Sequence, residues 1–234
     1  MELFVADLIE RFYTALWPFL RIGAMLIAVP VLSIDAVSVR IRVILTLALT
    51  LMIYPLVDWP TIDPVSAAGL SEIVNQILIG VLMGFFLQIV TAAVVVAGQA
   101  IANSMGLAMA TMVDPGIGTV PLMSQFLLIL GTLIFLGVGG HILMIGILLR
   151  SFETFPVGVA FISGANFTAL VEWSAMIFLG GMLMALPVLV ALLLVNIGVG
   201  VMTRAAPSLN IFAVGFPVFF LTGYAVLILS MAGI

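Results

Sequence analysis

The chain contains no cysteine, no lysine and very little charge of either sign. Of its 234 residues, 7% are charged and 65% are hydrophobic, whereas soluble domains carry about 25% charged residues. The absence of cysteine excludes disulfides and thiolate metal sites. The start, MELFVADLIER, is acidic where a secretory signal is basic, so we do not expect its cleavage. The composition predicts an integral membrane protein with little room for a soluble domain.

Long stretches of the chain contain no charged residue at all. They lie between Glu72 and Asp114, between Asp114 and Arg150, and between Glu172 and Arg204. Each stretch can hold at least one membrane span of roughly 20 residues. Since backbone groups in hydrocarbon must pair internally and the pattern lacks a period of two, these spans are expected to be α-helices.

Charge gaps and Pro/Gly positions predict about six hydrophobic helices, some short or broken, in a single membrane-embedded unit over residues 1–234. The predicted helices cover 12–32, 43–57, 73–97, 122–149, 173–201 and 211–234. The second would span only about 22 Å, less than the ~30 Å hydrocarbon core. Arg21 lies in the middle of the first. Both features favour packing against other protein, and therefore a multi-subunit assembly.

The stretch GQAIANSMGLAMATMVDPGIGTVP at 98–121 is rich in small residues and methionine. Small residues at every fourth position predict a helical face for close packing, formed by Gly98, Ala102, Gly106 and Ala110. Asp114-Pro115-Gly116 then stops the helix. Two interpretations remain open. The stretch is either an ordinary packed helix followed by a turn, or a segment that lines or blocks an aqueous path at membrane depth.

Isolated polar residues mark two further regions. Arg21 is expected either to have a buried partner or to extend toward the membrane interface, and the second alternative is favoured for Arg204. A polar, broken region near the C-terminal end contains Asn196, Arg204, Pro207, Gly215 and Pro217. The only histidine, His141, has no carboxylate or thiol nearby and is expected to be a packing residue. We predict no metal site, no cofactor and no enzymatic activity.

Four motifs resemble the family of the flagellar biosynthetic protein FliR, which has counterparts in virulence-associated type III secretion systems. They are WPFLRI at 17–22, SMGLAMATMVDPG at 104–116, GGHILMI at 139–145 and NIGVGVMTRAAPSLNIFAVGFP at 196–217. The resemblance covers essentially the whole chain in consistent order. It implies an all-α subunit of a helical hetero-oligomeric export gate, located in the bacterial inner membrane at the base of the flagellum.

The resemblance also implies partners and a site. The expected partners are FliP-like and FliQ-like subunits, an FlhB-like subunit, unfolded exported flagellar proteins and membrane lipid, but no nucleic acid. A loop over 105–121 is expected to enter the pore as a plug. Its implied residues are Met105, Gly106, Met109, Met112, Asp114, Pro115 and Gly116, with Ala108 and Ala110 allowing a tight fit.

Two other functions remain open on the residues alone. A small-molecule or ion transporter would use broken helices to form a site in the middle of the membrane, and it requires paired ionisable groups that face a cavity. A scaffold subunit would have no conducting role of its own. Co-purification with two unlike partners would distinguish a gate subunit from a transporter.

Overall fold

The computed structural model describes residues 2–30, 37–107, 122–159, 164–206 and 211–231. Over these ranges the chain forms α-helices joined by turns and contains no strand, so the all-α prediction is confirmed. The helices are α1 (Glu2–Ala28), α2 (Val39–Ile53), α3 (Ala67–Ser104), α4 (Leu122–Gly137), α5 (Gly140–Thr154), α6 (Gly164–Ser174), α7 (Met176–Ala205) and α8 (Ile211–Met231). A short 3-10 helix, Tyr54–Leu56, follows α2.

Three helical segments of the described chain are long and apolar enough to cross a membrane. They are Val39–Leu56, Ala67–Ser104 and Val171–Ala205. A fourth results if α4 and α5, which are sharply bent against each other, count as one broken span. The 38 residues of α3 correspond to about 57 Å of helix, nearly twice the thickness of the hydrocarbon core. These lengths support an integral membrane protein.

The limits of the helices follow from local residues. Ser66 precedes α3, and its Oγ accepts the backbone N–H of Gly69 at 3.0 Å, as an N-capping serine does. Between α4 and α5 the chain breaks at Val138 and Gly139, where Gly139 has a φ of 80°. A left-handed backbone at this point favours glycine, because other residues have a β-carbon that clashes.

Several predicted boundaries were wrong. The second predicted helix begins earlier and continues through the 3-10 turn, so Val39–Leu56 has 18 residues and a length of about 27 Å. Its length therefore no longer argues against a membrane span. The predicted helix at 122–149 is two helices, because Gly139 interrupts it. The third begins at Ala67 and ends at Ser104, short of the predicted stop at Asp114.

The chain divides into two compact units, each with its own core. Unit 1 comprises Met1–Ile89 and Ile134–Ser174, and unit 2 comprises Val90–Leu133 and Ala175–Ile234. The core of unit 1 is formed by Ile22, Met25, Leu26, Val29, Leu49, Ile53, Leu148 and Phe152. The core of unit 2 is formed by Ala97, Ile101, Ala102, Met105, Met123, Ala185, Val188, Leu192 and Leu227.

Candidate functional site: a buried arginine network and the end of helix α3

Arg21 is completely buried in unit 1 and makes hydrogen bonds with every nitrogen of its guanidinium group. Nε donates to Oε1 of Gln76 at 2.7 Å, and Nη2 donates to the carbonyl oxygen of Phe155 at 2.8 Å. Nη1 donates to the carbonyl oxygen and to Oγ of Ser151, at 2.8 and 3.2 Å. The carbon Cζ lies 4.3 Å from the ring centroid of Phe152. A buried cation needs such partners, because it has lost its hydration.

Glu72 supplies the opposite charge through an intermediate side chain. It is buried on α3, and its Oε1 accepts a hydrogen bond from Nε2 of Gln76. Gln76 in turn accepts the Nε–H of Arg21. Asn75 adds a hydrogen bond from Nδ2 to the carbonyl oxygen of Val159 at 2.8 Å. The network therefore joins α1 and α3 to the end of α5 and to the chain that follows it. We refer to Arg21, Glu72, Gln76 and Ser151 as the arginine network.

Two glycines bring α1 and α3 close enough for these contacts. A β-carbon on Gly80 would overlap the carbonyl oxygen of Arg21 and lie 2.8 Å from the β-carbon of Ala24. A β-carbon on Gly84 would lie 2.9 Å from the carbonyl carbon of Ala28 and overlap its β-carbon. Since Gly80 and Gly84 are four residues apart, they lie on one face of α3. This is the Gly-x-x-x-Gly arrangement that permits close helix crossing.

The charged groups of the arginine network are paired within the protein. Each charged group in it has a hydrogen-bonding partner within the network or in the adjoining backbone. Arg21 also lies at the C-terminal end of α5, where the carbonyl groups carry partial negative charge. Such an arrangement holds helices in one position. It does not present paired ionisable groups to a cavity, which a transport site would require.

The end of α3 in unit 2 is a Schellman motif, a common way in which helices terminate at a glycine. Gly106 has a φ of 77°. The N–H of Leu107 donates to the carbonyl oxygen of Ala102 at 3.0 Å, and the N–H of Gly106 donates to that of Asn103 at 3.1 Å. These bonds satisfy carbonyl groups that would otherwise have no partner at a helix end. The helix therefore ends at Ser104, and three residues separate its end from residue 108.

The predicted row of four small residues on one helical face is corrected at this point. Gly98 and Ala102 lie within α3, but Gly106 lies beyond its end in a left-handed conformation. Among the residues that the structure describes, a β-carbon on Gly106 would meet only Cδ2 of Phe216, at 3.9 Å. Gly106 is thus required for its backbone conformation and not for close packing. Ala110 lies outside the described residues.

Met105, the residue before Gly106, is fully buried in the core of unit 2. Its side chain lies against Gly223 of α8. A β-carbon on Gly223 would lie 2.9 Å from Cγ and 3.0 Å from Sδ of Met105, and would overlap its Cε. The absence of a side chain at position 223 creates the space that the methionine occupies. We call this pair the Met105 notch.

The Met105 notch changes the interpretation of one implied plug residue. The resemblance implies that Met105 packs in the pore, but the structure places its side chain inside the chain's own core, with 0% of its surface exposed. A side chain in that position is not available to face a lumen. The remaining plug residues, Met109, Met112, Asp114, Pro115 and Gly116, lie outside the described residues, and so do Ala108 and Pro121.

Gly98 marks a second close contact in unit 2. A β-carbon on Gly98 would overlap Cα of Ser124 on α4 and lie 2.8 Å from its backbone nitrogen. Ser124 is buried, and its Oγ donates to the carbonyl oxygen of Val95 at 3.0 Å. Ala102, one turn after Gly98, is also buried in this core. For these two positions the structure has the close packing that the spacing predicts.

The other predicted polar residues do not come together in a site. Asn196 and Arg204 are exposed on α7, with Arg204 in its last turn. Gly215 is buried in α8, while Pro217 is exposed in the same helix. Pro207 lies outside the described residues. His141 is exposed at the start of α5, contrary to the expected packing position.

The part of the chain that the structure describes contains no group of three or more His, Cys, Asp or Glu side chains that could hold a metal ion.

Sequence reasoning missed the partners of Arg21. A signal was present in α3, because Glu72, Asn75 and Gln76 are three and four residues apart and share one helical face. Ser151 had no such signal, since it is 130 residues from Arg21.

The helices and their apolar exposed faces define an all-helical membrane protein. Residues 12–234 match the family described as bacterial export proteins, family 1, and the chain belongs to this family. It is 38% identical over 213 residues to the flagellar biosynthetic protein FliR of Pectobacterium carotovorum subsp. carotovorum, covering 91% of this chain and 82% of that protein. It is 36% identical over 212 residues to the FliR of Escherichia coli K12, covering 90% and 81%.

A relative of lower sequence identity indicates the same family. The FliR protein of Bacillus subtilis strain 168 is 28% identical over 231 residues, which cover 97% of this chain and 89% of that protein. The resemblance found in the four motifs is therefore confirmed. The chain is a membrane subunit of the flagellar export apparatus.

Proposed function

We propose that the chain is a non-enzymatic subunit of the flagellar type III protein export gate. It forms, with FliP-like and FliQ-like subunits, the pore that translocates unfolded flagellar proteins, and an FlhB-like subunit is a further partner. The gate lies in the bacterial inner membrane at the base of the flagellum. Of the implied plug loop at 105–121, the part that follows Leu107 contributes the plug that seals the pore. The observation that carries this proposal is the family match over residues 12–234.

The surface of α7 supports assembly with other helices. Only a narrow stripe of this helix is buried within the chain, formed by Gly181, Ala185, Val188, Leu192 and Val199. Large apolar side chains elsewhere on α7 are exposed, among them Phe178 at 72% and Leu194 at 65%. A helix that is apolar all round belongs in lipid or against other apolar helices. Partner subunits and lipid together would cover these side chains.

The structure at the end of α3 supports the proposed plug, because the residues that precede it are held in place. The Schellman motif at Gly106 satisfies the last carbonyl groups of the helix, and Met105 is packed in the core of unit 2. The described part of the chain therefore reaches Leu107, immediately before the proposed plug, in a fixed conformation. The methionines of the proposed plug, Met109 and Met112, have flexible and polarizable side chains that adapt to irregular surfaces. We assign the seal to this part of the chain.

The transporter alternative is not favoured. It requires paired ionisable groups that face a cavity, but Arg21 and Glu72 are buried in a closed network. A scaffold without a conducting role differs from the gate subunit only in the plug. The following experiment therefore addresses the plug and the partners separately.

Residues 108–116 should be deleted in cells that assemble the complete gate, so that Gly106 and Leu107 still terminate α3. We expect the complex to form and the membrane to leak small ions, since the seal is lost while the core of unit 2 stays intact. Ion leakage is measured with a potential-sensitive dye. Replacement of 160–163 by glycine and serine is the control for a change between helices elsewhere in the chain.

Each outcome decides one part of the proposal. Unchanged leakage in a normally assembled gate would remove the plug role and leave a scaffold subunit. Purification as a monomer or as a symmetric oligomer, without two unlike partner subunits, would contradict the gate and favour the transporter.

A further inference from the structure

The Met105 notch lies at the C-terminal end of α3, three residues before residue 108. Met105 is the last residue before the left-handed Gly106, and its N–H still donates to the carbonyl oxygen of Ile101 at 2.9 Å. Its side chain fills the space above Gly223 of α8. Met105 is therefore held both by its backbone hydrogen bond within α3 and by the packing of its side chain on α8.

We propose that Met105 and Gly223 are positioning residues for the plug. They hold the end of α3 on α8 and so determine the point from which the segment beginning at residue 108 extends. In this role Met105 does not seal the pore itself, and the notch stays closed while protein is exported. The inference rests on the proposed function, because it assigns a base to the proposed plug.

The packing argues that the notch stays closed. Met105 belongs to a cluster of fully buried residues that includes Ile101, Ala102 and Leu227. Withdrawal of the side chain would leave a cavity over Gly223, and a cavity in a close-packed core is costly. The left-handed turn at Gly106 and the packing of Leu107 on the same core extend the fixed region by two residues. We therefore expect no movement of the chain up to Leu107.

The size of residue 223 tests the notch directly. Gly223→Val places two methyl groups where Met105 packs, so Met105 must leave its position. We expect several-fold higher ion leakage in a gate that still assembles. Met105→Ala should leak as well, because the end of α3 loses its contact with α8. Met105→Leu, which conserves volume, should keep leakage at the wild-type level.

Gly131→Ala is the matched control, since a β-carbon at Gly131 on α4 of the same unit would meet no atom of the described chain within 4 Å. The double variant Met105→Ala with Gly223→Ala should leak less than Met105→Ala alone, because the added methyl group fills part of the vacated space. The yield of the complex is measured for every variant. A low yield in Gly223→Val shifts the test to Met105→Ala and the double variant.

A disulfide tests whether the notch opens. The chain has no cysteine, so Met105→Cys with Gly223→Cys introduces the only two thiols of this subunit. Sγ of a cysteine at position 105 would take the place of Cγ of Met105, which lies 2.9 Å from a β-carbon on Gly223. This distance suits a disulfide between the two positions. The pair is oxidised with copper phenanthroline in the assembled gate and reduced with dithiothreitol. We expect bond formation, counted by thiol labelling, with export and sealing unchanged in both states.

Three results would overturn the inference. Export that stops on oxidation and returns on reduction would show that the notch must open. Wild-type leakage in both Gly223→Val and Met105→Ala would show that the pair does not position the plug. Failure of the cysteines to pair in a normally assembled gate would contradict the contact itself. If the deletion of 108–116 causes no leakage, the proposed plug fails, but the disulfide result still decides whether the notch exists.

Discussion

The core of unit 1 contains a buried arginine network, whereas the core of unit 2 is almost entirely apolar. Among the described residues nine polar or charged side chains are buried, and of these only Ser124 belongs to unit 2. Both units bring helices into close contact through glycines, Gly80 and Gly84 in unit 1 and Gly98 in unit 2. Both units thus pack helices closely at glycines, but in unit 1 a buried polar network accompanies this packing.

The difference has a physical consequence. Hydrogen bonds to a buried guanidinium group have defined directions, so the arginine network accepts only one arrangement of α1, α3 and α5. Apolar contacts have no preferred direction, and small shifts cost them little as long as volume is conserved. We expect unit 1 to lose stability steeply when its polar contacts are removed. Unit 2 should respond mainly to changes in side-chain volume.

Removal of the buried charge should have the largest effect. Arg21→Ala leaves Glu72 buried without its opposite charge, so we expect a loss of about 3–5 kcal/mol in the free energy of unfolding. The measurement is the unfolding temperature of the purified gate, together with the amount of chain recovered in the membrane. Arg204→Ala is the control. It removes an exposed arginine and should cost less than about 1 kcal/mol.

A second variant sharpens this prediction. Arg21→Met with Glu72→Gln removes both charges and keeps similar volumes, so it should be more stable than Arg21→Ala alone. Equal stability of Arg21→Ala and Arg204→Ala would contradict the difference that we draw between the units.

Methyl groups at the helix contacts should have an intermediate effect. Gly80→Ala and Gly98→Ala should each destabilise the gate by about 1–3 kcal/mol, because the added carbon meets backbone atoms. Gly80→Ala should be the more severe. Its neighbour Arg21 lies inside α1, while Ser124 is the third residue of α4, where backbone N–H groups have no partner within the helix.

The controls for these two changes lie in the same units. A β-carbon on Gly146 in unit 1 or on Gly131 in unit 2 would meet no atom within 4 Å in the ranges that the structure describes. Gly146→Ala and Gly131→Ala should therefore leave the unfolding temperature unchanged or raise it slightly, since alanine favours helix over glycine. A loss of stability equal to that of Gly80→Ala would rule out close packing as the cause.

Loss of the buried hydrogen bond of Ser124 in unit 2 should have the smallest effect. Ser124→Ala removes the hydrogen bond from Oγ to the carbonyl oxygen of Val95, which contributes about 0.5–1.5 kcal/mol. Ser230→Ala is the control, because Oγ of Ser230 bonds only within its own helix, to Leu227. If Ser124→Ala cost as much as Arg21→Ala, directional bonding would matter equally in both units.

The predictions from sequence succeeded where a local pattern determines the structure. Length and charge gaps predicted helices, and the spacing of Gly98 and Ala102 predicted a packed face that the structure contains. The same spacing failed at Gly106. A row of small residues does not reveal whether a glycine lies in a helix or ends it, because glycine adopts both conformations.

Contacts between distant segments were not predictable. Arg21 could have had a partner anywhere in the chain or none, and its partners at the end of α5 and directly after it are 130 and 134 residues away. The position of Met105 likewise depends on Gly223 of another helix. Nothing in the neighbouring residues of either side chain indicates these pairings, since helix periodicity only describes contacts within one helix.

The sequence by itself determined that this protein is an all-helical membrane protein, because so few charged residues cannot cover a surface in water. Its motifs also identified the family to which it belongs. Only the tertiary structure decided that Arg21 closes a buried network and that Met105 is a core residue. The physical reason is that desolvation and packing depend on which helices meet, and that choice is made by surfaces far apart in the chain.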